Sequence, residues 1–204
     1  GLMGWYMVKS GLVDRPDVSQ YRLTGHLGLA IAIYGYIVWL IIGLFSPERR
    51  QRDGALNSVF GIIGLVYLMI LSGGFVAGTN AGLSFPTWPL MGDSFIPPAL
   101  YREGVTSAFE QVTTIHFNHR MLAYLTGAVL ITAAVRGLLQ STDRRLKLAS
   151  ALMLTAVCFQ IVLGISTVLS HVDLTIAAGH QSGAVVLVTT VLFWVHVCST
   201  ESAD

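Results

Sequence analysis

Three histidines stand out because each lies inside an apolar segment, close to the same end of it. His26 follows Arg22-Leu23-Thr24-Gly25, His119 sits in His116-Phe117-Asn118-His119-Arg120, and His180 sits in Ala178-Gly179-His180-Gln181. An ionisable side chain at membrane depth is costly, so its presence there marks a functional site. Counted from the cap candidates Ser19, Thr113 or Thr114, and Asp173 or Thr175, all three rings lie about 9–10 Å inside their segments at ~1.5 Å per residue. Imidazoles from several helices at one depth can ligate a buried metal, and two neutral imidazoles can hold a haem iron from both faces. His119 and His180 are the candidate pair, and His26 is the third candidate ligand. Arg120, next to His119, offers a guanidinium suited to bidentate pairing with a carboxylate such as a haem propionate. The plainer role for a histidine in a span is a hydrogen bond to a neighbouring helix. Coincidence of depth and the adjacent arginine favour ligation. His116 reads as a residue lining or supporting the site, His171 as solvated in an outer turn, and His196 as interfacial.

The elements that carry these residues must be membrane spans. The chain has 204 residues, 53% of them hydrophobic and 11% charged, with a mean hydropathy of +0.67. A soluble domain carries about 25% charged residues. Apolar runs cover residues 21–45, 57–78, 113–139, 146–169 and 175–197, each long enough to cross a bilayer as a helix of ~20 residues. The fold class is therefore an all-α, polytopic integral membrane bundle. A net charge of +1 gives no footprint for nucleic acid. Cys158 and Cys198 fall in or at the end of apolar runs without a C-x-x-C spacing and read as core cysteines. Gly61, Gly64, Gly73, Gly74 and Gly78 suit close helix packing, and Trp5, Tyr6, Trp39, Trp88 and Trp194 suit an interfacial aromatic belt. Seven basic residues (Arg49, Arg50, Arg52, Arg136, Arg144, Arg145, Lys147) stand against four (Lys9, Arg15, Arg22, Arg102), placing the histidine-bearing ends on the outer side.

A weak repeat divides the chain. Gly4-Trp5-Tyr6-Met7-Val8-Lys9-Ser10 and Gly164-Ile165-Ser166-Thr167-Val168-Leu169-Ser170 share G-x-x-x-V-x-S, and each precedes a Gly-His pair, Gly25-His26 or Gly179-His180. The pattern predicts two pseudo-repeated four-helix halves. Residues 1–56 are the remnant of the first, opening on the tail of a helix, and residues 57–204 form the complete second half with a long outer loop, 79–112. That loop holds Pro86, Trp88, Pro89, Pro97, Pro98 and Tyr101, and its apolar content predicts a packed cap over the helix ends, with Trp88 placed to cover a site. Glu110, at its junction with the next span, reads as a helix-start residue complementing the dipole. No signal peptide and no Walker, Rossmann or nucleophile-elbow motif is seen.

Taken together, Gly4-Trp5-Tyr6-Met7-Val8-Lys9-Ser10-Gly11-Leu12, Tyr21-Arg22-Leu23-Thr24-Gly25-His26-Leu27, Gly74-Phe75-Val76-Ala77-Gly78, Thr87-Trp88-Pro89-Leu90-Met91, Phe117-Asn118-His119-Arg120, Leu163-Gly164-Ile165-Ser166-Thr167 and His180-Gln181-Ser182-Gly183 resemble haem A synthase of the mitochondrial and alphaproteobacterial type. The resemblance covers about the last five of that family's eight helices. It implies oxidation of the haem O C8 methyl to the formyl of haem A for terminal oxidase biogenesis. It further implies haem B held by His119 and His180 with Arg120 beside it, and the substrate haem bound by His26 and Arg22. The family's glutamate and histidine on the second helix of the first half are not in this sequence, so no catalytic residue is assigned. Thr79-Asn80 replaces the usual Leu-Asp, and His116 stands where glutamine is frequent. Implied partners are haem O and haem A, the lipid bilayer, an electron-transfer partner, oxidase assembly factors and a second copy of the chain. The implied location is a bacterial cell membrane or the mitochondrial inner membrane. The rival reading is a b-type membrane cytochrome that carries electrons. Such a wire stacks ligands at both depths of one helix, whereas here the deep histidines all lie at the outer level.

Overall fold

The apolar runs fold as α-helices because a helix satisfies every backbone N–H and C=O within its own segment, as hydrocarbon requires. A computed structural model describes residues 1–9, 18–45 and 56–200. Its helices are α1 (Leu2–Lys9), α2 (Gln20–Leu44), α3 (Leu56–Gly78), α4 (Ser107–Glu110), α5 (Val112–Gln140), α6 (Arg144–Leu169) and α7 (Leu174–Ser199), with 3-10 turns at Ala81–Leu83 and Gly104–Thr106. Helices α2, α3, α5, α6 and α7 are long and apolar enough to cross a membrane, and their bounds match those read from hydropathy to within two residues. The protein is an all-α, multi-pass membrane protein. Arg15, Arg49, Arg50 and Arg52, four of the residues used to orient it, lie outside the described residues, as does Ser10 of the repeat.

Helices α3, α5, α6 and α7 form a four-cornered bundle in which α3 and α6 each pack against both α5 and α7. The helices bearing His119 and His180 therefore occupy opposite corners. Helix α2 lies against α3 and α7, and α1 against α2. The α2–α3 contact depends on missing side chains. A Cβ at Gly78 would stand 2.6 Å from Gln20 Cα, one at Gly74 2.8 Å from Thr24 Oγ1, and one at Gly28 2.7 Å from Leu71 Cδ2. Gly61 and Gly64 differ from expectation: nothing approaches within 4 Å of a Cβ at either, so they serve no close helix contact.

The bundle is closed at one end and looser at the other. Val66, Leu130, Ala134, Ala149, Met153, Val157, Val191 and Val195 form a buried apolar cluster toward the end away from the long loop. Nearer the loop, none of residues 158–169 of α6 or 181–186 of α7 is buried. At the closed end Trp194 is buried and its Nε1–H donates to Ser150 Oγ at 3.0 Å, so Trp194 belongs to the core and not to an aromatic belt. His196 is also buried, edge-on to the Trp39 ring at 5.2 Å between centroids, which corrects its reading as interfacial. Cys158 is exposed on the outer face of α6 and so is no core cysteine; neither it nor Cys198 is in a disulfide. Lipid solvates an outward-facing thiol as readily as a packed one, so composition alone does not separate the two.

Helix starts follow local chemistry only in part. The Asp173 carboxylate accepts from the Thr175 and Ile176 amides, capping α7. Ser19 occupies the cap position of α2 without a side-chain bond. The cap of α5 is Gln111 and not Thr113 or Thr114, because Thr114 is buried and its hydroxyl is engaged with the Gln111 side chain.

Candidate functional site

Sequence spacing puts His119 seven residues into α5 and His180 six into α7, a depth of about 9–10.5 Å for both. His26 lies six residues into α2, at the same end of the molecule. Each ring is seated against a glycine on the helix next to it. A Cβ at Gly73 would come within 3.4 Å of His119 Cε1, one at Gly164 within 2.9 Å of His180 Cε1, and one at Gly4 within 3.4 Å of His26 Cε1. Gly4 and Gly164 are the leading residues of the two repeat copies, and each meets the histidine that follows its own copy.

The two candidate axial imidazoles differ in what holds them. His119 Nδ1 lies 2.8 Å from Ser72 Oγ on α3, leaving Nε2 to point elsewhere. His180 Nδ1 is buried without a hydrogen bond, and Gln160 Oε1 on the adjoining helix is buried and unpaired as well. The Gln160 amide instead donates to the His180 carbonyl at 3.0 Å. A buried orphan nitrogen is expensive, and its retention on a ring seated at ligand depth suits a functional role better than a packing one.

Arg120, the next residue after His119, is buried. Its guanidinium donates to the carbonyls of Leu90, at 3.2 Å, and Thr87. It thus anchors the long loop while several of its five donors remain for another acceptor. Around that anchor Gly92 N donates to Thr87 Oγ1 at 2.9 Å, Met91 N donates to Ser94 O at 2.8 Å, and Met91 and Pro97 are fully buried. Tyr101 Oη donates to Asn118 Oδ1 at 3.0 Å, and Gln111 Nε2 to Ala99 O at 2.8 Å. The loop is thus a packed cap pinned to the first turns of α5. Trp88, at its surface, is exposed.

His116 is buried beneath this cap, its ring 6.2 Å from that of Phe85, with Nδ1 unpaired. The Arg22 guanidinium lies over the Tyr6 ring, 5.4 Å from its centroid. His171 is exposed in the α6–α7 turn with φ of 56°. Glu110 does not lie in the first turn of α5; it closes α4 and accepts from Tyr21 Oη and from Gln20 Nε2, the latter at 3.2 Å, tying the start of α2 to the cap. Ser72, Gln160 and the Glu110 tie escaped the reading of the chain. The available signal for Ser72 was a lone hydroxyl in Met69-Ile70-Leu71-Ser72, six residues from the end of its span.

Among the described residues no three His, Cys, Asp or Glu side chains gather to hold a bare ion. Two imidazoles at one depth on opposite corners suit a metal whose remaining ligands come from a macrocycle. The chain resembles known proteins. A family model described as a cytochrome oxidase assembly protein matches residues 1–192. A heme A synthase from Nitrosospira multiformis is 45% identical over 203 residues, 96% of this chain and 57% of that protein. One from Paramagnetospirillum magneticum is 42% identical over 96% of this chain and 57% of its own length. The heme A synthase COX15 of Bos taurus is 40% identical over 95% of this chain and 50% of its own. The chain thus spans about half the length of the curated relatives it matches. With the match covering residues 1–192, a span that includes Gly4, His26, His119 and His180, the chain belongs to the cytochrome oxidase assembly protein family, alongside bacterial and animal heme A synthases.

Proposed function

We propose that this chain carries the haem-B-binding half, and part of the substrate half, of a haem A synthase that oxidises the C8 methyl of haem O to the formyl of haem A. The observation that supports the reading is the placement of His119 and His180 on opposite corners at one depth, in the part of the bundle where α6 and α7 are not closed by core packing. In this reading both histidines ligate haem B, and Arg120 directs its remaining donors to a propionate. His26, seated on Gly4 as His180 is on Gly164, serves the substrate haem, with Arg22 near its edge. His119 and His180 would hold haem B, which would supply one-electron redox chemistry when bound. The chain's own residues would orient the two imidazoles, offer the remaining Arg120 donors to a propionate, and exclude water through the cap pinned by Arg120. An electron-accepting partner, oxidase assembly factors and a second copy of the chain are proposed from the same activity, in a bacterial cell membrane or the mitochondrial inner membrane.

The test is pigment extraction from purified protein with identification by mass, alongside His119→Ala and His180→Ala. The expected result is haem B together with haem O or haem A, and loss of the bis-histidine absorption spectrum in either variant. Retention of that spectrum in both variants removes the assignment. A b-type electron carrier would yield haem B alone and would need a second ligand pair at the closed end. His196 is the histidine nearest that end, and its ring packs edge-on to Trp39, with all other histidines of the chain toward the opposite end.

A further inference from the structure

Ser72 makes two short contacts at once: its Oγ lies 2.8 Å from the Met69 carbonyl oxygen one turn back in α3, and 2.8 Å from His119 Nδ1 on α5. A hydroxyl has one proton and two lone pairs, and a carbonyl can only accept. Both contacts are hydrogen bonds only if the hydroxyl proton goes to Met69 and Nδ1 donates its own proton to the Ser72 oxygen. The opposite arrangement, with the hydroxyl donating to Nδ1, leaves the Met69 contact without a proton. A neutral imidazole carries one N–H, so a ring protonated at Nδ1 presents a bare lone pair at Nε2. We propose that Ser72 is a positioning residue that fixes His119 in its Nδ1–H tautomer and aims Nε2 as the metal ligand. Gly73, the next residue, supplies the clearance: a Cβ there would lie 3.4 Å from His119 Cε1.

The inference rests on the haem reading of His119 and adds an asymmetry to it. His180 Nδ1 makes no such bond, so of the two axial rings only His119 has its donor strength raised by a hydroxyl acceptor. A hydrogen bond from Nδ1–H makes an imidazole a stronger donor to iron, and loss of such a partner typically weakens metal affinity by about 10–100-fold. A stronger donor stabilises the oxidised metal, so the bond that His119 Nδ1–H donates to Ser72 would hold the midpoint potential down.

The experiment is a redox titration and a low-temperature electron paramagnetic resonance spectrum of haem-loaded wild-type protein, Ser72→Ala and Ser72→Thr, with haem content measured for each. The expected result is that Ser72→Ala raises the midpoint potential and shifts the low-spin g values, or loses haem, while Ser72→Thr restores the wild-type behaviour. Unchanged potential and g values in Ser72→Ala overturn the proposal, as does a Ser72→Thr variant that behaves like Ser72→Ala. If wild-type haem keeps its bis-histidine spectrum in His119→Ala, the haem site itself is misassigned, which is a separate failure from that of Ser72.

Discussion

A glycine under an imidazole is a small device with a sharp tolerance. Gly164 leaves His180 no slack, since a Cβ would stand 2.9 Å from its Cε1, whereas Gly73 and Gly4 leave 3.4 Å to His119 and His26. Adding one methyl group to a packed contact costs about 1–3 kcal/mol when the neighbour must leave its rotamer. Gly164→Ala should therefore rotate or displace His180 and diminish the bis-histidine spectrum. Gly73→Ala should do so less, and Gly4→Ala should leave that spectrum unchanged because the proposed assignment gives it His119 and His180 as ligands and not His26. Absorption spectra and the thermal loss of haem absorbance rank the three; a Gly4→Ala variant that loses as much as Gly164→Ala would place His26 in the same site as His119 and His180. The Gly25-His26 and Gly179-His180 pairs were legible in the chain because each follows a copy of the same G-x-x-x-V-x-S pattern. Ser72 was not, because the spacing of residues along α3 does not say which side chain of α5 it will meet.

Helices and the cap show where local chemistry decides and where it yields. Asp173 caps α7 through two amides, so Asp173→Ala should cost about 1 kcal/mol, the usual loss for a removed cap, while Asp173→Asn should cost little; urea or thermal unfolding in detergent reads the difference. The cap itself hangs on Arg120. Its fork engages two carbonyls, those of Thr87 and Leu90, and a lysine ammonium on a flexible stem does not reproduce a planar fork. Arg120→Lys should loosen the segment around Thr87 and Leu90, losing roughly 1.5–3 kcal/mol for each charge-assisted bond not remade, and limited proteolysis should then cut there before it cuts anywhere in α5. Resistance equal to wild type would show that the buried turn at Met91 and Pro97 holds the cap without the arginine. Composition indicated that a proline- and aromatic-rich loop would pack. It did not indicate that Arg120, chosen for pairing with a propionate, would spend donors on the loop, because a guanidinium accepts any oxygen that folding brings near.

On the scale of the molecule, spans were legible from length and hydropathy, but their facing was not. In water an apolar stripe marks the buried side of a helix, whereas in lipid both sides are apolar and periodicity falls silent. That is why Trp194 looked interfacial, Cys158 looked buried, and Gly61 and Gly64 looked packed. What the molecule has instead is a division along its axis, with a close-packed end and an end that carries His26, His119 and His180. Gly137 on α5, Ser150 on α6 and Trp194 on α7 lock the first of these: a Cβ at Gly137 would stand 2.1 Å from Ser150 Oγ, the atom that accepts from Trp194 Nε1 at 3.0 Å. Gly137→Ala must therefore push Ser150 away and leave the buried indole N–H unsatisfied, a loss of about 1–3 kcal/mol from the orphaned donor and a comparable loss from overpacking. Gly137 and His119 are 18 residues apart on one helix, about 27 Å at ~1.5 Å per residue, and sites that far apart without shared partners contribute independently. The expected outcome is a lower midpoint of thermal unfolding, followed by tryptophan fluorescence in detergent, with the haem spectrum of the folded protein unchanged. A variant that keeps its thermal midpoint but loses the haem spectrum would mean that the two ends are mechanically coupled and that the closed end shapes the site.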